Sequence, residues 1–193
     1  MLKLIDKREG SSVHDIYEAS MTESAMSSMS ESFDEVNNLN DPSKCLRSIR
    51  TGHPDKIVIA QLNTNSIRNK FEQFKCIVKG NVDILVLLET KLDSTFTSAQ
   101  FMIDGFSAPY RLDRDKNGGG IIVLIREDIL SRLLQEHMLP EDIEALPIEI
   151  NLRKSKFLLL ATYHPPSQSK MYYFDHITKI MDKYAKYEKV LLA

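Results

Sequence analysis

The stretch that decides the fold is KIVIAQLNTNSIRNKFEQFKCIVKGNVDILVLLET, residues 56–90. Short apolar runs at Ile57–Leu62 and Asp83–Leu88 are typical of strands that are buried on both faces of a parallel sheet. Between these runs, apolar residues recur at the spacing of one helical face: Ile67, Phe71, Phe74 and Val78. Ser66 is a candidate N-cap, and Gly80 suits the end of the helix. The pattern predicts a β-α-β unit.

Each strand of this unit is followed by a polar residue, Asn63 after the first strand and Glu89 after the second. Because the strands of a β-α-β unit are parallel, their carboxyl ends meet at the same edge of the sheet. Open α/β sheets keep their binding sites at that edge. We therefore expect Asn63 and Glu89 to share one pocket. The alternatives are that Asn63 only caps the helix and that Glu89 is a solvated acid.

The rest of the sequence predicts more sheet and one more helix. Strands are predicted at Ile121–Ile125, Ile143–Leu152 and Lys156–Tyr163 and from Val190 onward, and a helix at Ser169–Tyr187. One or two helical turns are predicted within Arg126–Leu134.

Two segments carry possible binding groups. The run RDKNGGG, residues 114–120, has three glycines that could approach a phosphate. It matches neither a P-loop nor a dinucleotide fingerprint, so a hairpin turn is the favoured interpretation. Pro165 and Pro166 stop the preceding strand and leave Tyr163 and His164 at its end. Tyr163 has the alternative role of an amphipathic tyrosine at the edge of the core.

The chain divides by composition near residue 55. Residues 1–55 carry six basic and ten acidic residues and the serine-rich run SAMSSMSES, a composition that predicts a disordered tail. The apolar residues needed for a core are concentrated in residues 56–193, which we expect to form one domain. The formal net charge of −2 does not indicate a nucleic-acid-binding protein.

Several features bear on where the protein acts. The two cysteines, Cys45 and Cys76, are too few for a disulfide framework or a zinc site. No apolar run has the length of about 20 residues that spans a membrane, and the first residues lack the apolar core of a signal peptide. These observations predict an intracellular protein, nuclear or cytoplasmic, without a membrane partner.

Four motifs in the same order resemble one family. They are LNTNSIR, LLETKLD, GGGIIVLIRE and ATYHPPSQS, which begin at residues 62, 87, 118 and 161. Together they resemble the endonuclease/exonuclease/phosphatase superfamily, and more narrowly the apurinic-type endonuclease domain that precedes reverse transcriptase in non-LTR (LINE) retrotransposons. The resemblance covers residues 56–193. It implies a four-layer α/β sandwich, in which two mixed sheets lie face to face with helices outside.

The resemblance also implies a function and its residues. It implies Mg²⁺-dependent cleavage of a DNA phosphodiester, with Mn²⁺ as an alternative ion, and a reverse transcriptase domain downstream. Asn63 matches the asparagine that orients the attacked phosphate and water, Glu89 the metal-binding carboxylate, and Tyr163 a tyrosine that contacts the phosphate. Asn65 and Lys91 match polar residues that support the site. The family does not place its catalytic histidine at His164.

Two expected motifs do not occur in the 193 residues. The family continues a strand like Val190–Ala193 into Gly-Asp-Phe-Asn and has a Ser-Asp-His motif near its end, and this sequence contains neither. We therefore expect an incomplete sandwich that holds the first half of the domain or slightly more, weakened metal binding and little DNA nicking. The alternatives are an enzyme whose product continues past residue 193, and a non-catalytic nucleic-acid-binding or phosphate-binding remnant of a mobile element.

Overall fold

The computed structural model describes residues 2–6, 16–17, 42–134, 139–152 and 155–192. The strands are β1 (Leu2–Asp6), β2 (Ile16–Tyr17), β3 (Lys56–Asn63), β4 (Ile84–Leu88), β5 (Tyr110–Leu112), β6 (Ile121–Ile125), β7 (Leu130–Leu133), β8 (Glu144–Asn151), β9 (Lys156–Tyr163) and β10 (Glu188–Leu192). The α-helices of the described residues are α1 (Pro42–Gly52), α2 (Phe71–Val78) and α3 (Lys170–Lys183).

The strands form two mixed sheets. The first sheet has the order β2-β1-β3-β4-β6-β5, and its central strands β3 and β4 are parallel. The second has the order β10-β9-β8-β7, in which only β10 and β9 are parallel among the described pairs. The predicted α/β class with two mixed sheets and outer helices is confirmed.

The layers follow from the alternation of side chains along buried strands. In β4 (ILVLL), Leu85 and Leu87 pack with the apolar faces of α1 and α2, whereas Ile84, Val86 and Leu88 pack against the second sheet. A third cluster lies on the other face of the second sheet, where Leu160 of β9 contacts Tyr173 and Ile177 of α3. The resulting order of layers is helix, sheet, sheet, helix.

Helix α1 adds a piece of the fold that the sequence analysis assigned to the tail. Leu46 of this helix is fully buried in the core, and Ile49 packs against the same cluster. The folded unit therefore includes residues 42–55, before the boundary expected at residue 56. In addition, β1 pairs antiparallel with β3. The tail prediction for residues 7–15 and 18–41 lies outside the described residues.

Two local predictions were wrong. Arg126–Leu134 does not form helical turns; it contains β7, which pairs with β8 at the edge of the second sheet. Helix α2 begins at Phe71 and not after Ser66, which has a φ of 84° in a loop. Gly80 does follow the helix with a positive φ of 78°, as predicted.

Candidate active site at the shared strand edge

The parallel pairing of β3 and β4 brings Asn63 and Glu89 to the same edge. Asn63 lies opposite Leu88 in the register of the two strands, so Glu89 is the next residue along. The Asn63 side chain is exposed, and its Oδ1 accepts a hydrogen bond from the Asn65 N–H at 3.1 Å. This local turn leaves Asn63 eight residues before α2, so Asn63 does not cap the helix.

The two loops that leave β3 and β4 are tied together by backbone hydrogen bonds. Three N–H groups of the first loop donate to three successive carbonyls of the second: Thr64 to Leu88 at 2.8 Å, Ser66 to Glu89 at 2.8 Å, and Ile67 to Thr90 at 3.1 Å. The buried Thr64 hydroxyl adds bonds to the first two of these carbonyls. These bonds hold residues 64–67 in a loop, so α2 begins only at Phe71.

Tyr163 reaches the same edge from the second sheet. It is the last residue of β9, and its hydroxyl donates a hydrogen bond to Glu89 Oε1. Burial, together with the hydrogen bond to Glu89, raises the pKa of Tyr163 to about 12. A phenol is protonated at neutral pH even at its ordinary pKa of 10.0, and the raised pKa extends the range over which Tyr163 can donate to higher pH.

Asn65 and Lys91 lie in contact beside these residues. The Lys91 ammonium donates a hydrogen bond to Asn65 Oδ1, and the Lys91 carbonyl accepts two from the Arg68 guanidinium at 2.8 and 3.2 Å. Glu89 and Lys91 have positive φ values of 51° and 53°, a conformation that is uncommon for residues other than glycine. Sparsely populated backbone conformations of this kind cluster at functional sites.

Sequence reasoning missed Glu144, which holds a turn next to this edge in place. Its side chain is buried, accepts the Gly120 N–H at 2.5 Å, and pairs with Arg114 at 2.7 Å. The carbonyls of Gly119 and Gly120 in turn accept the N–H groups of Lys91 and Thr90. Glu144 thus positions the turn that holds the loop after Glu89. One available signal was its expected position opposite Tyr163 in a β8–β9 hairpin.

His164 has a local structural role. Its Nε2 lies 3.1 Å from the Gln168 carbonyl oxygen, and its ring packs edge-on against Tyr173 with 4.7 Å between centroids. These contacts fix the turn between β9 and α3.

The donors at the edge fit a hard divalent cation. Among the described residues, no three or more His, Cys, Asp or Glu side chains form a group that could hold a metal ion. Mg²⁺ does not require such a group, because it keeps several waters and is usually held by one or two carboxylates plus substrate phosphate. The partly exposed Glu89 carboxylate and the exposed Asn63 amide supply oxygen donors of that type.

Comparison with known proteins identifies the fold. No protein-family model and no curated protein matches the sequence. Among solved structures, the chain is similar to the endonuclease domain of TRAS1, a telomere-specific non-LTR retrotransposon, with a TM-score of 0.51 and 12% identity over 69% of this chain and 56% of that domain. The similarity at this identity is one of fold.

Two further solved structures are similar over a comparable share of the chain. The 3′-5′ exonuclease NExo from Neisseria meningitidis has a TM-score of 0.47 and 22% identity over 69% of this chain and 55% of its own. The AP endonuclease LMAP from Leishmania major has a TM-score of 0.48 and 16% identity over 65% and 45%. The chain spans about half the length of the solved structures that it matches. No helix among the described residues could cross a membrane.

Proposed function

We propose that this chain, which has the fold of the endonuclease/exonuclease/phosphatase superfamily, carries part of the active site of a Mg²⁺-dependent DNA endonuclease of the retrotransposon type. The observation that carries the proposal is the hydrogen bond from Tyr163 to Glu89, with Asn63 at the adjacent strand end. The bond joins Tyr163 and Glu89, and the strand register adds Asn63 at the same edge. These three residues from separate parts of the sequence are the ones that the motif resemblance assigns to one site.

Each residue has a role that its chemistry supports. Glu89 would hold Mg²⁺, or Mn²⁺ in its place, and the bound metal would stabilise charge on the phosphate and the leaving oxygen. The Asn63 amide and the Tyr163 hydroxyl would donate hydrogen bonds to phosphate oxygens as their negative charge grows. The raised pKa of Tyr163 extends the pH range over which this donor stays protonated.

Asn65 and Lys91 support the site in this proposal. Their mutual hydrogen bond fixes the two loops relative to each other, and the Lys91 charge lies where an approaching DNA phosphate would be attracted. The substrate is then a DNA strand, which implies a nuclear or cytoplasmic place of action. In a retrotransposon product, a reverse transcriptase domain would follow.

The proposal does not assign a general base. The 193 residues lack the Gly-Asp-Phe-Asn and Ser-Asp-His motifs, and His164 is engaged in a turn. General acid–base catalysis typically contributes about 10²–10⁴-fold to a rate. We therefore expect the 193-residue chain to bind metal and DNA but to nick DNA slowly by itself, and a longer product that contains both motifs to nick it efficiently.

The test measures metal binding and nicking separately. Tb³⁺ replaces Mg²⁺ as the probe in a luminescence titration, because Tyr163 lies next to Glu89 and can sensitise the bound ion. We expect Glu89→Gln to abolish the saturable signal and the Mg²⁺-dependent nicking of a supercoiled plasmid, where nicking occurs. Glu127→Gln changes an exposed acid after β6 and serves as the matched control, with no effect on either readout.

Two outcomes would contradict the proposal. Equal Tb³⁺ affinity of the wild-type chain and Glu89→Gln would remove Glu89 from the metal site. Metal-dependent binding of DNA without nicking, even in a product that contains both motifs, would favour the alternative of a non-catalytic nucleic-acid-binding remnant.

A further inference from the structure

A pocket of about 260 Å³ lies beside the candidate active site, between the start of α2 and the loop after β4. Arg68 lines it and connects it to the site, because the same guanidinium donates two hydrogen bonds to the Lys91 carbonyl. The volume is below the roughly 300–1,000 Å³ of sites for drug-sized ligands. The pocket therefore suits a single planar ring system.

The side chains that line this pocket include three phenylalanine rings and one guanidinium group, all of which are planar. The Arg68 guanidinium lies over the Phe96 ring, with 5.3 Å to the ring centroid. Phe96 is 6.3 Å from Phe101, and Phe101 meets Phe71 edge-on at 5.2 Å. Phe71 and Phe101 are only 4% exposed and form the floor, whereas Phe96 is half-buried and Arg68 is exposed. The accessible planar surfaces are thus the Phe96 ring and the Arg68 guanidinium. The exposed Glu72 side chain, which pairs with Lys75 at 2.9 Å, also lines the pocket.

The rim supplies hydrogen-bonding groups. Asn69 lines the pocket, and among the described residues its side-chain amide has no hydrogen-bond partner. Gln100 uses its Oε1 to accept the Thr97 N–H at 2.8 Å, and its NH₂ group donates no hydrogen bond in the described part of the chain. Amide donors and acceptors of this kind are complementary to the edges of nucleobases.

We propose that this pocket binds one unstacked base of the DNA strand whose phosphate lies at the edge formed by Asn63, Glu89 and Tyr163. The inference rests on the proposed function and adds a base contact to it. Proteins hold unpaired bases by stacking them on aromatic rings and guanidinium planes. The Arg68 guanidinium, which donates to the Lys91 carbonyl, and the Lys91 ammonium, which donates to Asn65, are two positive charges that attract the adjacent backbone and bring the base to the pocket.

The experiment measures the contribution of the bases to DNA binding separately from that of the phosphate backbone. Binding of labelled dT₁₂ and of a fully abasic 12-mer with the same phosphates is measured by fluorescence anisotropy, at low salt and with EDTA to prevent cleavage. Stacking of one base contributes about 1–3 kcal/mol, so we expect dT₁₂ to bind the wild-type chain roughly 5- to 150-fold more tightly than the abasic strand.

Phe96→Leu keeps an apolar side chain at this position and removes the ring. We expect it to weaken dT₁₂ binding toward the abasic level and to leave abasic binding unchanged, the coupling that a double-mutant cycle detects. Phe174→Leu, at an exposed phenylalanine of α3, is the control. It should preserve the difference in affinity between dT₁₂ and the abasic 12-mer. A thermal unfolding midpoint near that of the wild type shows that the Leu variants are folded.

Two other outcomes would contradict the base pocket, and one of them would also contradict the proposed function. If the chain binds DNA but the gap between dT₁₂ and the abasic strand survives Phe96→Leu, the base pocket is overturned and the proposed function stands. If neither strand binds, either with EDTA or with Mg²⁺ present, the pocket and the DNA-directed function are both overturned.

Discussion

The Tyr163 hydroxyl donates a hydrogen bond to the Glu89 carboxylate, although 74 residues separate the two in sequence. Tyr163 ends a strand of the second sheet, and Glu89 follows a strand of the first. The bond therefore joins the two layers at the edge where we place the active site. It also links Tyr163, whose pKa is raised by its surroundings, with the carboxylate that we assign to the metal.

We expect the Tyr163→Phe substitution to change how stability depends on alkaline pH. The pKa of Tyr163 is raised from an unfolded value of 10 to about 12, first by burial and then by the hydrogen bond to Glu89. A raised pKa means that the stabilisation is complete below pH 10 and is lost as the pH rises toward 12. The wild type should therefore lose stability relative to Tyr163→Phe over this window.

The measurement is urea unfolding of both chains at intervals between pH 9 and pH 12. Other groups titrate in this range, but they do so in both chains, so the difference between the two free energies isolates Tyr163. A difference that stays constant from pH 9 to pH 12 would show that neither burial nor the hydrogen bond to Glu89 raises the pKa of Tyr163 in solution.

The shared strand edge of the candidate site was easier to predict from sequence than the contacts that hold its loops in place. Asn63 and Glu89 each follow an apolar run, so strand polarity alone predicts that they share an edge, and the structure places them there. The Ser66 cap was wrong because the N–H groups of that loop bond to carbonyls of the second loop, which lies more than 20 residues away. No local pattern contains that pairing.

Glu144 and helix α1 were missed for a similar reason. Glu144 reads as one polar residue at the start of a strand, and its role depends on Gly120 and Arg114, which only the tertiary fold brings to it. The two residues of α1 that contact the core, Leu46 and Ile49, are too few to stand out from polar surroundings. In both cases the deciding contacts are distant in sequence.

Gly120 lies under Thr90, and we expect its replacement by alanine to be strongly destabilising. A Cβ on Gly120 would come within 2.5 Å of Thr90 Oγ1, and its φ of 89° is unfavourable for any other residue. The left-handed conformation alone costs about 1–2 kcal/mol, and the steric clash adds to that cost.

Gly105→Ala is the matched control for this substitution. Gly105 has a similar φ of 83°, but a Cβ there meets nothing within 4 Å. In chemical unfolding, Gly105→Ala should lose about 1–2 kcal/mol from backbone strain alone, and Gly120→Ala should lose more. Equal losses for the two variants would mean that the Gly119–Gly120 turn does not press against the loop after Glu89.

Asp83 is a buried carboxylate at the end of the sheet opposite the site, and we expect Asp83→Ala to be severely destabilising. Its oxygens accept hydrogen bonds from Arg50 of α1, from Arg126 after β6, and from the Val58 N–H at 2.7 Å. Removing one partner of a buried ion pair costs about 3–5 kcal/mol, because the remaining charges lose their partner.

Asp104→Ala provides the comparison for an exposed pair. Asp104 accepts a hydrogen bond from Lys79 at 3.1 Å, and its side chain is 91% exposed. Surface pairs of this kind contribute about 0–1 kcal/mol, so urea unfolding should show only a small loss for Asp104→Ala. A loss of similar size for Asp83→Ala would show that solvent reaches the Asp83 cluster.

The ionised Glu149 side chain stabilises the fold, and we expect this stabilisation to be lost at low pH. Its side chain is buried, and the hydrogen bond from Tyr187, the largest influence, lowers the pKa of Glu149 from 4.5 to about 2, with further contributions from Asn151 and Arg132. A lowered pKa means that the stabilisation is complete above pH 4.5 and is lost as the pH falls toward 2. Tyr187→Phe removes the main donor, so we expect it to be less stable than the wild type at pH 6, with a much smaller difference at pH 2.5. Urea unfolding of both chains over this range checks the prediction, and a difference that does not shrink below pH 4.5 would contradict it.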